Sequence, residues 1–112
     1  MIPTGAQTLG PILDLLLDGQ DRMPEEIRTH VAKIFRTSEQ QMSEITRNCR
    51  STTFVNSVAF GLMNLVQWTG PKRHVPFIVL DEEKGSYKIT EHGLALRKKI
   101  PGMIDLEDLA DY

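Results

Sequence analysis

Residues 53–89 read TFVNSVAFGLMNLVQWTGPKRHVPFIVLDEEKGSYKI, and their hydrophobic period changes from helical to extended. We predict a helix from Thr53 to about Trp68, where Thr-Gly-Pro ends it because Gly supplies the C-cap conformation and Pro cannot continue a helix. Two short β-prone runs, 75–80 and 86–89, then flank a polar turn. Such a pair of runs indicates a β-hairpin. The stretch therefore predicts a long helix followed by a hairpin.

The sequence on either side of this stretch predicts further helices. The first spans residues 8–18, where Leu and Ile recur at helical spacing. The second begins at Pro24, whose missing N–H costs nothing in the first turn of a helix. Ser38 opens a third, short helix, and Thr90 caps a last helix over residues 91–100. The fold is predicted to be mainly α with a small β-hairpin, in the order of a winged helix-turn-helix.

The formal net charge of −2 is distributed unevenly along the chain, although by itself it argues against a nucleic-acid partner. Residues 1–46 hold four bases and seven acids, whereas residues 47–100 hold nine bases and four acids. No Asp or Glu occurs in residues 45–80. This asymmetry predicts a surface that faces a polyanion. A buried helix that needs no charge is the alternative interpretation.

A winged helix inserts its recognition helix into the major groove, and asparagine can pair with the edge of adenine there. The predicted contacts on this helix are Thr52, Thr53, Asn56, Ser57, Phe60 and Asn64. The predicted phosphate contacts are Arg47, Arg50, Lys72, Arg73, Lys84 and Lys88. Phe60 lies in the middle of the polar face, and contact with bases or a pyrimidine 5-methyl group remains open. We favour packing beneath the hairpin, because large aromatic side chains are mostly buried.

The length of 112 residues fits one domain, which we place at residues 1–100 as a winged-helix DNA-binding unit. Residues 101–112 contain four acids and no base, and we interpret them as an acidic tail or the start of a linker. The single Cys49 excludes a disulfide framework, and the three histidines lack metal-ligand spacing. No apolar run approaches the roughly 20 residues of a membrane span. We therefore expect a cytoplasmic protein without a metal, a cofactor or a membrane contact.

Three segments in the same order carry a family resemblance. They are residues 2–19, with Ile-Pro-Thr, Pro-Ile-Leu and Leu-Asp-Gly, residues 54–65 (FVNSVAFGLMNL) and residues 84–93 (KGSYKITEHG). Over nearly its whole length the chain resembles the N-terminal winged-helix domain of Mrr-type restriction endonucleases, which are modification-dependent. The resemblance implies recognition of double-stranded DNA, methylated or otherwise modified or plain, on behalf of a fused or associated nuclease domain. Ser57 stands where the family has Arg, and Phe60 stands where it has Trp.

Two other functions remain as alternatives to DNA recognition. One is a protein–protein interaction module, including a homodimer. The other is a small metal-dependent nuclease, since Glu82, Glu83 and Lys84 match one half of a Glu-x-Lys nuclease motif. The acid-free stretch upstream supplies no second carboxylate, and a hairpin turn favours a solvated tip. We therefore expect no catalytic and no metal-binding residue in this chain.

Overall fold

The structure, a computed structural model, describes residues 2–38, 53–66 and 76–111. Within these ranges the fold is mainly helical with one small antiparallel sheet, as predicted, and no helix is both long and apolar enough to cross a membrane. A 3₁₀ turn (Ala6–Thr8) precedes helices α1 (Leu9–Leu16), α2 (Pro24–Phe35) and α3 (Thr53–Val66). The hairpin strands β1 (Ile78–Asp81) and β2 (Ser86–Ile89) precede α4 (Glu91–Lys99) and α5 (Leu106–Asp111). From residue 39 onward, the short helix predicted to begin at Ser38 falls outside the described residues.

The first helical segment begins at a reciprocal cap formed by Thr4 and Gln7. The Thr4 N–H donates to Gln7 Oε1 at 2.9 Å, and the Gln7 N–H donates to Thr4 Oγ1 at 3.3 Å, as in a capping box. Helix α1 then buries four apolar side chains completely, namely Leu9, Ile12, Leu13 and Leu16. Gly19 follows α1 with a φ of 79°, a conformation that glycine adopts without strain.

The link between α1 and α2 takes part in the sheet. The N–H of Arg22 donates to the Tyr87 carbonyl, and the N–H of Tyr87 donates to the Arg22 carbonyl, both at 2.8 Å. Arg22 therefore pairs antiparallel with β2, which also pairs with β1. The sequence indicated only a connection here, because a single paired residue leaves no periodic signal. Pro24 begins α2 as predicted, and Arg36 ends it in the left-handed conformation at a φ of 50°.

The hairpin pairs β1 with β2, and Ile78 lies opposite Ile89 at its buried end. At the turn, Asp81 Oδ1 accepts the backbone N–H groups of Glu83 and Lys84 at 3.0 and 3.2 Å. These two hydrogen bonds close the turn from within. The predicted hairpin is therefore confirmed.

Helix α4 packs so closely on the start of the hairpin that Gly93 has no room for a side chain. Thr90 Oγ1 accepts the Gly93 N–H at 3.1 Å, which is the predicted cap. A methyl group at Gly93 would overlap the Phe77 carbonyl oxygen. Of the two leucines predicted to pack, Leu96 is fully buried, whereas Leu94 is 41% exposed.

The C-terminal segment belongs to the packed domain. Ile104 and Leu109 are 1% and 0% exposed and lie in the hydrophobic core. Arg97 of α4 holds the chain that leads to them, since its guanidinium donates to the carbonyl oxygens of Ile100 and Gly102. The hydrophobic core therefore includes side chains beyond residue 100, where the sequence predicted a tail or the start of a linker. Two apolar side chains among the four acids of this segment complete the core.

Candidate nucleic-acid interface

Helix α3 carries no charged side chain over its 14 residues, and it keeps one exposed stripe. We define this α3 stripe as Ala59, Phe60 and Met63, of which Phe60 is 39% and Met63 is 50% exposed. The other predicted contacts on the described part of the helix are half-buried or buried: Thr53, Asn56, Ser57 and Asn64. The accessible side of α3 is thus more apolar than the polar face that the helical wheel predicted.

Asn64 lies in the interior. Its side chain is 1% exposed, and Nδ2 donates to the Phe60 carbonyl oxygen at 2.8 Å. A buried amide needs such partners, because an unsatisfied one is costly. The prediction that Asn64 lies on the exposed face of the helix is therefore wrong. A helical wheel shows which residues share a side but not which side a distant segment covers.

The N-terminal segment is what covers this side of α3. Thr8 Oγ1 donates to the Gly5 carbonyl at 2.6 Å and lies 3.5 Å from the Ser57 carbonyl oxygen. A methyl group at Gly61 would overlap Thr8 Oγ1, and a methyl group at Gly5 would overlap the ring of Phe60. The Phe60 ring therefore packs against the N-terminal segment, whereas the sequence favoured packing beneath the hairpin.

The two predicted phosphate contacts of the hairpin, Lys84 and Lys88, are both exposed. Lys84 Nζ lies 4.0 Å from Asp21 Oδ2, and the same oxygen accepts a hydrogen bond from Ser86 Oγ at 3.0 Å. The hydrogen bond from Ser86, together with the positive charge of Lys84, lowers the pKa of the Asp21 carboxyl. Lys84 therefore has a carboxylate neighbour of its own.

The turn of the hairpin is acidic. Asp81, Glu82 and Glu83 are all exposed, and Asp81 binds backbone N–H groups of the turn itself. Across the described ranges, no group of three or more His, Cys, Asp or Glu side chains is arranged to hold a metal ion. Glu82, Glu83 and Lys84 thus occupy a solvated tip, which is the interpretation that the sequence favoured.

Helix α2 presents a row of bases that the sequence analysis did not select. Arg28, Lys33 and Arg36 line a groove of about 740 Å³ between α2 and the first turn of α3. Among the described residues of the lining, Glu25 is the acidic one. These bases lie five and three residues apart, and the seven acids of residues 1–46 outweigh them in a count of charge along the sequence. We call this cleft the α2–α3 groove.

A second groove, of about 410 Å³, separates α3 from the hairpin and the start of α2. Its walls are mostly apolar and include Met63 and Leu80, which are 50% and 41% exposed. Arg28 also lines this groove, so its side chain lies between the two clefts. We call it the apolar groove.

The other predicted contacts, Arg47, Arg50, Thr52, Lys72 and Arg73, fall outside the described residues. Comparison of the chain with protein-family models, with curated proteins and with solved structures gives no match. The family resemblance and the DNA-binding role therefore remain predictions at this point.

Proposed function

We propose that this chain is a winged helix-turn-helix module that binds double-stranded DNA and performs no catalytic step of its own. The observation that carries the proposal is the α3 stripe, an exposed strip on a helix without any acidic side chain. The major groove admits an α-helix, and apolar side chains contact the methyl group of thymine there. A helix without carboxylates also adds no repulsion towards the phosphates.

The pairing of Arg22 with Tyr87 supports the winged-helix assignment. A winged helix has a short strand between its first two helices, and this strand lies beside the second strand of the hairpin. Arg22 has that position between α1 and α2. In addition, the Phe77 N–H donates to the Leu65 carbonyl at 2.9 Å, which ties the hairpin to the last turn of α3. Helix and hairpin would therefore approach DNA as one unit.

The resemblance to Mrr-type restriction endonucleases extends the proposal. In this role the module works in the cytoplasm and directs a fused or associated nuclease to DNA, including DNA with a methylated or otherwise modified base. Asn56 and Phe60 are the described positions of α3 that we assign to base contacts, and Asn64 is withdrawn from them because it is buried.

A titration of fluorescent duplex DNA, followed by anisotropy at roughly 50 and 200 mM salt, tests the proposal. Each neutralised phosphate contributes about 0.9 to the slope of log affinity against log salt. Two or more contacts would therefore weaken binding at least about tenfold between these salt concentrations. Absence of binding at the lower salt concentration, or an affinity that does not change with salt concentration, contradicts DNA recognition.

The apolar groove favours a second candidate function, the docking of a protein partner or a second copy of the chain. Methionine is enriched and charge is depleted at the centre of protein interfaces, and Met63 and Leu80 are half exposed at this groove. Sedimentation equilibrium of the wild type and of Met63→Glu tests the homodimer. A dimer that the substitution dissociates supports it, whereas a wild type that stays monomeric at its highest soluble concentration excludes it.

A further inference from the structure

The α2–α3 groove concentrates positive charge beside the proposed recognition helix. Arg28 and Lys33 belong to α2, and the opposite wall is Phe54 and Val55 in the first turn of α3. Phe54 and Val55 carry no charge, so this wall adds no repulsion towards an anion. The described lining therefore carries a net positive charge, from Arg28, Lys33 and Arg36 against Glu25, and favours an anion.

Two cations of this groove, Arg28 and Lys33, differ from Arg22 and Arg97 in their neighbours. Arg22 is paired with Asp18 and Glu26, and Arg97 is paired with Asp14. Within the described part of the chain, neither Arg28 nor Lys33 has a carboxylate within 4.0 Å. Their charge is therefore available to a ligand without the loss of an existing ion pair.

The position of Arg28 connects the groove to the α3 stripe. Arg28 lines the α2–α3 groove and also the apolar groove, where Ala59 and Met63 form part of the α3 wall. A phosphate bound at Arg28 would therefore lie close to a ligand in contact with the α3 stripe. In a helix-turn-helix protein a helix that packs beside the recognition helix crosses the DNA backbone, and α2 lies beside α3 across this groove.

The tip of the hairpin, in contrast, carries more negative than positive charge. Its exposed carboxylates are Asp81, Glu82 and Glu83, and its Lys84 lies beside Asp21. Like charges at this tip repel a phosphate chain. Resting on the proposed function, we propose that the DNA backbone is held in the α2–α3 groove by Arg28 and Lys33, and that the hairpin tip holds no phosphate.

The test measures the salt dependence of duplex binding by the full chain and by Arg28→Gln, Lys33→Gln and the double variant. Each single substitution should lower the slope of log affinity against log salt by about 0.9, and the double variant should lower it by about 1.8. Lys98→Gln, at an exposed base of α4, and Lys84→Gln, at the hairpin tip, should leave the slope unchanged. Thermal melting of each variant shows that it remains folded.

The outcomes separate this inference from the function on which it rests. A wild type with a salt slope that both α2 variants retain overturns the inference and leaves DNA binding in place. A slope that falls with Lys84→Gln instead of Arg28→Gln also overturns it, because the phosphates would then lie at the hairpin. If DNA binding by the wild type does not depend on salt, both the proposed DNA-binding function and the proposed backbone site in the α2–α3 groove are refuted.

Discussion

Arg97 and Asp14 form a two-point ion pair although they are 83 residues apart in the chain. Arg97 Nε lies 2.7 Å from Asp14 Oδ1, and Nη2 lies 2.8 Å from Oδ2. The Arg97 side chain is only 12% exposed, and its remaining nitrogen donates to the carbonyl oxygens of Ile100 and Gly102. One side chain thus joins α1, α4 and the segment that leads to α5.

Arg97→Lys keeps the charge but cannot reproduce the planar two-point geometry or supply the carbonyl hydrogen bonds at the same time. We expect the free energy of unfolding in urea to fall by about 2 kcal/mol, because several charge-assisted hydrogen bonds are lost. Lys98→Arg is the matched control on an exposed neighbour and should change it by less than about 0.5 kcal/mol. Equal stability of Arg97→Lys and wild type would show that the pair contributes nothing.

Gly93→Ala should destabilise the protein although alanine is the better helix former. By helix propensity the change would gain about 1 kcal/mol. The added methyl group overlaps the Phe77 carbonyl oxygen, which is backbone and cannot rotate away. We expect a loss of at least about 2 kcal/mol in urea unfolding. Gly102→Ala, with no atom within 4 Å of the new methyl group, should stay within about 0.5 kcal/mol of wild type.

Leu109→Ala tests whether the acidic segment is part of the core. Leu109 is fully buried, so its truncation should cost about 2 to 3 kcal/mol through lost burial and a residual cavity. Met103→Ala, at a side chain that is 69% exposed, should be nearly neutral. If both variants unfold at the wild-type urea concentration, residues 101–112 behave as the tail that the sequence suggested.

Ser86→Ala should raise the pKa of the Asp21 carboxyl towards its usual value, since the Ser86 hydrogen bond is the main cause of its depression. A carboxyl with a lowered folded pKa stabilises the fold above its unfolded pKa, and this contribution disappears as the pH falls through the folded value. The variant should therefore lose less stability on acidification than the wild type does. An NMR titration of the side-chain carboxyl carbons measures the pKa directly.

Asp18 is the internal control for that titration. Its pKa is lowered by a hydrogen bond from the Gln20 N–H and by Arg22, independently of Ser86. It should titrate alike in both proteins. An unchanged pKa of Asp21 in Ser86→Ala would contradict the role given to the hydroxyl group.

The elements that could be predicted are those with local signals. Pro24 at the start of α2, Thr90 as the cap of α4 and the turn of the hairpin all act within a few residues, and all appear in the structure. The pairing of Arg22 with Tyr87 could not be predicted, because the two residues are remote in sequence. The burial of Leu109 could not be predicted, because Ile104 and Leu109, which lie among acidic residues, do not make a recognisable amphipathic pattern.

The candidate interface was less accessible to prediction than the fold. Asn64 shares the helical periodicity of an exposed polar face, yet Thr8 and the N-terminal turn cover that side of α3. Arg28 and Lys33 lie in an acidic part of the sequence, yet packing brings them to the first turn of α3. Composition averages along the chain, whereas the electrostatic field depends on distances in space.

By itself, the sequence determined the order of helices and hairpin, because caps, breakers and hydrophobic period act over single turns of the chain. The tertiary structure alone decided which side of α3 is exposed, which bases lack a carboxylate neighbour, and that Ile104 and Leu109 belong to the core. Those properties arise from contacts such as Thr8 with Ser57, 49 residues apart, and Arg97 with Asp14. Only the folded chain brings such residues together, and no local pattern encodes which of them will meet.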